Sequence, residues 1–311
     1  MGLVASSTTV SSDRTSRSGW RVWLALGTVY LVWGSTYLAI KIAIETLPSL
    51  THAGVRFTIA GLVLVGVLSV SRPAALRVSA PRLATAAAVG VLLLGGNGIV
   101  VVAEEGVSSG LAALLIAAVP LWIVVLRTVT GDRPSPVTLA GVAVGFAGVA
   151  VLLRPGATDR SDLPHAALVV LASLSWASGS FLATRRPMPA DPFAATAYEM
   201  LFGGAVLLVA GLLRGETAGL NLAAVSGRSW LAFGYLVVVG SLVTFTAYVW
   251  LLGNAPVSQV ATYAYVNPAV AVLLGALILH ERVTPTVVVG GLVILVSVAV
   301  VVAVEVRRGR H

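Results

Sequence analysis

The sequence contains no cysteine and few charged residues. The absence of cysteine excludes disulfides, thiol chemistry and thiolate metal sites, and four scattered histidines argue against a metal cluster. Only 10% of the residues are charged, whereas a soluble domain carries about 25%. With 58% hydrophobic residues and a mean hydropathy of +0.97, the chain has lipid as its expected solvent. We therefore predict one integral membrane body with no cofactor and no metal site.

The basic residues are unevenly distributed along the chain. A net charge of +8 and a pI near 10.6 would suit a nucleic-acid-binding protein, but arginine and lysine also accumulate in the cytoplasmic loops of membrane proteins. If the N-terminus is cytoplasmic, thirteen basic residues lie on the inner side and seven on the outer side. We therefore predict a multi-pass protein of the cell (inner) membrane with both termini inside, and no nucleic-acid partner.

Ten apolar runs have the length of a membrane span, which needs roughly 20 residues. They are 20–43, 50–70, 82–103, 107–129, 136–154, 163–184, 192–213, 229–252, 257–279 and 284–304. Helices are predicted for all of them, because open sheet edges cannot exist in lipid. Residues 1–19 are expected to form a disordered cytoplasmic tail, since no cleavable signal pattern is present, and residues 305–311 a basic cytoplasmic tail.

The two halves of the chain resemble each other. "WGSTYLAIK" matches "WASGSFLAT" at an offset of 143, and "GDRPSP" matches "HERVTP" at an offset of 149. The repeat unit holds five helices, an odd number, so the second copy must enter the membrane from the opposite side. Inverted repeats are typical of secondary transporters, although channels and membrane enzymes can also contain repeats. The predicted fold is an all-α integral membrane protein with ten transmembrane helices in two inverted five-helix repeats, 20–154 and 163–304.

Four segments carry a family resemblance. They are "WGSTYLAIKIAIETLPSLTHAGVRFTIAG", "GGNGIVVVAEEGVSSGLAALLIAAVPLW", "YEMLFGGAVLLV" and "GSLVTFTAYVWLLGNAPVSQVATYAYVNPAVAVLLGALILHERVTP". The sequence resembles the EamA family of the drug/metabolite transporter superfamily, in its YedA-like branch. The resemblance implies a central cavity lined by helices 1, 3, 4, 6, 8 and 9, and export of amino acids, other metabolites or toxic compounds. One departure is Glu105, where family members often have glutamine.

Polar and aromatic side chains form stripes on several of the predicted helices. A polar group in a span lacks partners in lipid, so it faces either a cavity or a neighbouring helix. The predicted substrate-cavity residues are Trp33, Tyr37, Asn97, Trp176, Ser180, Tyr248, Tyr263 and Asn267. Helix–helix hydrogen bonding is the alternative for these residues. Pro120 and Pro268 occupy corresponding places in the repeats and are predicted helix breaks, with simple packing kinks as the alternative.

Two ionisable residues near helix ends are candidates for charge recognition or coupling. Lys41, the only lysine, lies one turn before Glu45. It either snorkels to the interface beside that carboxylate or meets an anionic substrate group at the outer mouth of the cavity. Glu104 either titrates in proton coupling or meets a substrate amine, with a solvated or capping acid as the alternative. Arg56 and Glu199 are repeat-related and opposite in charge, and their pairing is left open.

These features predict a secondary transporter that moves small metabolites (amino acids or related compounds) or drugs across the plasma membrane by alternating access. Export is implied by the resemblance. The sequence has no ATP-binding motif, so a gradient of substrate or protons must drive transport. The alternatives are a membrane receptor or scaffold without transport and a membrane enzyme, although no catalytic constellation is visible. The expected partners are a small-molecule substrate and the lipid bilayer, with protons and a second copy of the chain as further candidates.

Overall fold

A computed structural model describes residues 13–154, 162–218 and 220–308, and all regular structure within them is helical. The ten segments are α1 (Asp13–Ala43), α2 (Ser49–Ser71), α3 (Ala80–Ala103), α4 (Ser109–Ile116 and Val119–Val129), α5 (Pro136–Leu152), α6 (Leu163–Arg185), α7 (Pro192–Leu213), α8 (Gly227–Asn254), α9 (Val257–Val260 and Tyr263–Ile278) and α10 (Pro285–Arg308). In this part of the chain, nine segments are long and apolar enough to cross a membrane, and α5 is a shorter apolar helix. The predicted all-α class is confirmed.

The first and last helices extend beyond the apolar runs that predict them. α1 begins at Asp13 rather than at residue 20, and α10 continues to Arg308 rather than ending at residue 304. Once a helix has formed, each further residue adds a backbone hydrogen bond at little cost in conformational free energy. A helix can therefore extend beyond its apolar stretch. The rest of the two predicted tails, 1–12 and 309–311, lies outside the described residues.

Polar residues in the short connections set where helices begin. The side chains of Ser108, Ser135, Asp191 and Ser226 each accept a hydrogen bond from a backbone N–H in the first turn of the following helix. Such caps satisfy donors that have no partner within the helix. Proline occupies the first turn of α3, α5, α6 and α7, where its missing N–H costs nothing.

The packing of the helices follows the internal repeat. α2 packs against α7 and α5 against α10, which are pairs that the repeat maps onto themselves. The contact between α1 and α9 corresponds to the contact between α6 and α4. The contact between α3 and α6 corresponds to the contact between α8 and α1. Every such contact has its repeat-related mate, as a pseudo-two-fold axis requires. Because successive helices alternate in direction and each repeat holds an odd number of them, the two five-helix repeats have opposite orientation.

Glycines allow α7 to approach both α3 and α2 closely. A Cβ atom on Gly90 would lie 2.4 Å from the carbonyl oxygen of Glu199, and one on Gly203 would lie 2.7 Å from the carbonyl oxygen of Gly90. On the other side of α7, a Cβ atom on Gly204 would lie 3.1 Å from the carbonyl oxygen of Gly54. Lipid gives no hydrophobic drive for helix association, so close van der Waals packing of this kind holds the helices together.

Replacing Gly90 with alanine should destabilise the protein, because the added methyl group would meet the backbone of Glu199 rather than a flexible side chain. Overpacking of this kind costs about 1–3 kcal/mol. Thermal unfolding of the detergent-solubilised protein measures the loss. Gly95→Ala on the same helix is the matched control, since nothing lies within 4 Å of its Cβ position. Equal melting temperatures for the two variants would contradict the close α3–α7 contact.

Candidate functional site

A cavity of about 490 Å³ lies between the two repeats. Its wall is built by α1, α2, α3 and α4 of the first repeat and by α6, α8, α9 and α10 of the second. The lining is mostly apolar, with a small number of hydroxyl, amide and charged groups. Both the volume and this composition are typical of sites that hold small molecules, which span about 300–1,000 Å³.

The structure brings together every residue predicted to line a substrate cavity. The wall contains Trp33, Tyr37, Asn97, Trp176, Ser180, Tyr248, Tyr263 and Asn267, together with Pro120 and Pro268. The expected helices 1, 3, 4, 6, 8 and 9 all contribute, and α2 and α10 contribute in addition. The role of these residues in binding a substrate stays a prediction.

Four aromatic rings form a cluster on one part of the wall. The ring centroid of Trp33 lies 5.3 Å from that of Phe245, 5.1 Å from that of Tyr248 and 5.4 Å from that of Tyr263. The two tyrosine rings lie 5.7 Å apart, edge to face. These separations are favourable for aromatic pairs. The cluster joins α1 to α8 and α9, and it offers an apolar surface to a bound molecule.

Two amide groups in the wall have unsatisfied acceptors. The Oδ1 atoms of Asn97 and Asn267 are buried and have no hydrogen-bond partner among the described residues. A buried polar atom without a partner costs about 1–3 kcal/mol, so such atoms usually mark a contact with water or a ligand. Both oxygens are enclosed in this structure, so a donor from a molecule in the cavity reaches them only after the side chains that cover them move.

Arg56 is a cavity residue that the sequence prediction did not include among the substrate-cavity residues. Its side chain is buried, its Nε atom donates to Ser241 Oγ at 2.9 Å, and its guanidinium lies 4.6 Å from the ring centroid of Phe57. No ion pair joins it to Glu199 in the described part of the chain. The available signal was an arginine within a membrane-spanning run, which is itself a functional hint.

The partner of Arg56 lies in an irregular stretch of α8. Residues Leu236–Val243 form a π-helix, and the hydroxyl of Thr244 donates to the carbonyl of Val239, five residues earlier, at 2.7 Å. Turns of this kind are rare and frequently occur at functional sites. The sequence indicated a polar stripe through Ser241 and Thr244, but its pattern gave no sign of the wider turn.

The two predicted helix breaks differ in the structure. α4 is interrupted at Ala117 and Ala118, and Pro120 follows in the first turn of its second part. α9 is interrupted at Ala261 and Thr262, so Pro268 lies inside a continuous helix instead. A proline there removes only one backbone hydrogen bond. The interruption occurs where the Thr262 hydroxyl donates to the Gln259 carbonyl at 2.5 Å, in place of a regular helical turn.

Lys41 and Glu104 do not line the cavity. Lys41 Nζ donates to the backbone carbonyls of Glu104 and Val107, so it joins α1 to the α3–α4 connection. Carbonyls at a helix C-terminus lack partners within the helix, which explains why an ammonium is well placed here. The predicted neighbour Glu45 instead faces Arg228, at 3.5 Å. The carboxylate of Glu104 is fully buried, and neither of its oxygens has a hydrogen-bond partner among the described residues.

The odd-numbered helices end and the even-numbered helices begin on one side of the bundle, which we call the Lys41 end. There, Glu216 of the α7–α8 connection accepts hydrogen bonds from the backbone N–H groups of Leu50 and Thr51, at 3.0 and 2.8 Å. Glu281 of the α9–α10 connection accepts from those of Ser109 and Gly110, at 2.8 and 3.2 Å. Each carboxylate thus caps a helix of the other repeat, where the helix dipole favours negative charge.

A further link at the Lys41 end joins the α3–α4 connection to the end of α7. The two terminal nitrogens of Arg214 each lie 2.8 Å from an oxygen of Glu105, and the hydroxyl of Ser49 donates to the same carboxylate at 2.6 Å. Glu105 is the residue that departs from the family pattern. The structure gives its side chain a contact that glutamine could only partly reproduce, since the glutamine amide is neutral.

The opposite side of the bundle, the Arg127 end, has its own ion pairs. Arg127 contacts Asp132 at 2.9 Å and also contacts Glu305, and Arg185 contacts Asp132 at 3.1 Å. These pairs join α4 and its following loop to α6 and α10. Arg72, at the end of α2, contacts Asp191 at 2.6 Å.

Exposure of the wall residues differs between the two ends of the bundle. The wall residues nearest the Lys41 end are Ile40, Arg56, Phe57 and Val100, and each is at most 3% exposed. Towards the Arg127 end, Thr184 and Leu252 are exposed, whereas Val260 at the start of α9 is 2% exposed. The wall is therefore uniformly buried towards the Lys41 end and mixed towards the Arg127 end.

Comparisons with known proteins agree with this architecture. The model of the EamA-like transporter family matches residues 20–154 and 163–303. The "Uncharacterized inner membrane transporter YedA" of Escherichia coli K12 is 41% identical over 253 residues, covering 81% of this chain and 80% of that protein. The "Probable amino-acid metabolite efflux pump" of the same organism is 27% identical over 278 residues, covering 82% and 86%. One crystal structure matches with a TM-score of 0.63 over 92% of this chain and 99% of the other, at 21% identity, which shows the fold alone.

The stability contributed by the Arg214–Glu105 pair should depend on pH. Hydrogen bonds from Arg214 lower the pKa of Glu105 below its usual value, so the pair stabilises the protein above pH ~4.3, the ordinary glutamate pKa. The contribution is lost as the pH falls through the lowered pKa. Because both side chains are partly exposed, Arg214→Gln should cost less than about 1 kcal/mol at neutral pH.

Thermal unfolding of the wild type and Arg214→Gln between pH 3 and 7 measures this difference. Arg154→Gln is the matched control, because Arg154 is an exposed arginine at the same end of the bundle. A difference between wild type and Arg214→Gln that grows as the pH falls would refute the assignment.

Proposed function

Because the chain belongs to the EamA-like transporter family, we propose that it exports small metabolites, such as amino acids or related compounds, or drugs across the plasma membrane by alternating access. The observation that carries this proposal is the cavity between two inverted repeats, whose wall residues are uniformly buried towards the Lys41 end and include the exposed Thr184 towards the Arg127 end. The direction rests on the relative that is named an efflux pump. The same relative supports amino acids as one substrate class.

Alternating access follows from the repeat. Two similar halves of opposite orientation can exchange conformations, which closes the Arg127 end and opens the Lys41 end. The links at the Lys41 end include hydrogen bonds and ion pairs, beside buried apolar residues such as Leu47 and Val107. Water can replace such polar contacts when the end opens, so the two states can lie close in free energy.

The charge distribution supports a cytoplasmic Arg127 end. Among the described residues, arginines at that end include Arg72, Arg77, Arg82, Arg127, Arg133, Arg185, Arg186, Arg307 and Arg308. Fewer basic residues lie towards the Lys41 end, and cytoplasmic surfaces are the richer in them. With this orientation both termini are inside, and the exposed wall residue Thr184 lies on the cytoplasmic side, where an exporter binds its substrate.

Glu104 is the proposed proton site if transport is coupled to protons. Its carboxylate is fully buried and unpartnered, and its backbone carbonyl accepts a hydrogen bond from Lys41. A buried ionisable group in a membrane protein is costly and commonly marks a proton relay. A change in its charge would act directly beside the link that closes the Lys41 end.

Transport through the cavity predicts that blocking it abolishes export. Cells that produce the wild type should release compounds that cells producing Ser180→Phe do not, because the larger ring would occupy the cavity beside Trp176. Mass spectrometry of the growth medium identifies the compounds, and flux from loaded proteoliposomes then tests each one directly. Leu171→Phe is the control, since Leu171 lies on the same helix and is 52% exposed on its outer face.

The same experiment separates a transporter from a receptor or scaffold. Equal release by the wild type and both variants, at matched protein levels in the membrane, would contradict flux through this cavity. Release that is lost in Ser180→Phe and kept in Leu171→Phe supports it.

The role of Lys41 in closing one end can be measured by cysteine labelling, because the chain contains no cysteine of its own. A cysteine at position 184 should react with a water-soluble maleimide, whereas one at position 100 should be protected, as the native residue is 2% exposed. Lys41→Met should increase labelling at position 100 several-fold, because it removes the donor to the Glu104 and Val107 carbonyls.

Lys41→Arg is the control for this experiment, since it keeps a positive donor at the same position. Protection at position 100 that persists in Lys41→Met would show that these hydrogen bonds do not hold the end closed.

A further inference from the structure

Arg56 is the one charged side chain in the wall of the cavity, among the residues that the structure describes. The remaining wall is apolar, aromatic, hydroxyl-bearing or amide-bearing. A guanidinium stays protonated in proteins, so the cavity has a net positive charge. That sign favours an anionic group in the cavity over a cationic one.

The guanidinium of Arg56 is only partly satisfied. Its Nε atom donates to Ser241, but its Nη1 atom is buried and has no hydrogen-bond partner among the described residues. Within that part of the chain no carboxylate lies within ion-pair distance of it. An unpaired buried charge destabilises a protein, and within a membrane-spanning segment it is a functional-site hypothesis by default.

The surroundings hold the guanidinium plane in a fixed orientation. The hydroxyl of Ser241 accepts from Nε, and the ring of Phe57 lies 4.6 Å from the guanidinium carbon, within range of a cation–π contact. Gly240 lies beside the group, since a Cβ atom there would be in van der Waals contact with Nη2, at 3.5 Å. Neither terminal nitrogen makes a hydrogen bond among the described residues, but Nη1 is enclosed, so a carboxylate that accepts from both nitrogens must displace the side chains that cover it. Two parallel hydrogen bonds are the geometry that a carboxylate accepts best.

We propose that Arg56 binds the carboxylate of the substrate and that the cavity selects organic acids with an aromatic or aliphatic body. The aromatic cluster around Trp33 offers a packing surface for that body. The free Oδ1 atoms of Asn97 and Asn267 can accept an ammonium where the acid carries one. This inference rests on the proposed function and names the substrate class of the same cavity.

Four probes that share a phenyl body test the proposal: phenylalanine, 3-phenylpropionate, phenylalaninamide and phenethylamine. A ligand that binds the folded state raises its melting temperature by mass action. The two carboxylates should raise the melting temperature of the wild type, and the amide and the amine at equal concentration should not. Tighter binding of phenylalanine than of 3-phenylpropionate would assign amino acids as the class, and equal binding would assign simple acids.

Variants of Arg56 separate recognition from a structural role. Arg56→Gln should weaken carboxylate binding at least tenfold, while Arg56→Lys should keep part of it because the charge remains. Without ligand, Arg56→Gln should melt no lower than the wild type, since the charge that it removes is unpaired. Ser241→Ala should weaken binding less than Arg56→Gln, because it frees the guanidinium without removing it.

The proposal is overturned if the amine stabilises the wild type as much as the carboxylates do, or if Arg56→Gln responds like the wild type. It is also overturned if neither carboxylate shifts the wild type and a series from acetate to benzoate and octanoate gives no shift.

Flux distinguishes this inference from the proposed function. Carboxylates that bind through Arg56 but do not leave loaded proteoliposomes would support the site and refute transport. Release of metabolites that is equal in the wild type and in Arg56→Gln would support transport and refute the site.

Discussion

Every backbone N–H and C=O group inside a membrane needs a partner within the protein, because lipid offers none. This requirement explains where the helices of this chain are regular and where they are not. The interruptions in α4 and α9 occur at Ala117 and Ala261, and both residues line the cavity. The π-helical stretch of α8 holds Ser241, the partner of Arg56. The irregular backbone of these three helices therefore lies beside the cavity, where water or a ligand can satisfy it.

The same requirement applies to the helix termini at the Lys41 end of the bundle. The first N–H groups of α2 and α4 are capped by Glu216 and Glu281, which belong to the other repeat. The carbonyls beyond the end of α3 accept from Lys41. Helix termini are unsatisfied by their nature. The Lys41 contacts satisfy them within the first repeat, whereas Glu216 and Glu281 satisfy them across the boundary between repeats. Contacts that complete the helices thus also hold the two repeats in one relative position.

Polarity within a lipid-spanning run is a strong local signal, and the residues selected on that ground lie in the cavity wall, while their role in binding a substrate stays a prediction. Asn97 and Asn267 are conspicuous in such runs, because an amide group has no partner in lipid. Lys41 was harder, because its acceptors lie 63 and 66 residues further along the chain. A local pattern pairs it with Glu45, one turn away. Likewise Pro268 marks a weakened helix in the sequence, while the interruption itself depends on how Thr262 packs.

The two repeats are alike in backbone and unlike in charge. Gly240 lies against the guanidinium of Arg56, and the equivalent Gly90 lies against the backbone of Glu199. Arg56 and Glu199 are themselves equivalent by the repeat, yet only the arginine belongs to the cavity wall. Symmetry between the halves accounts for two related conformations, but a symmetric pair of cations would repel each other across so small a space. Because the residue equivalent to Arg56 is the glutamate Glu199, the cavity wall contains one positive group. The preference of the cavity for an anionic group therefore comes from a position at which the two repeats differ in sequence.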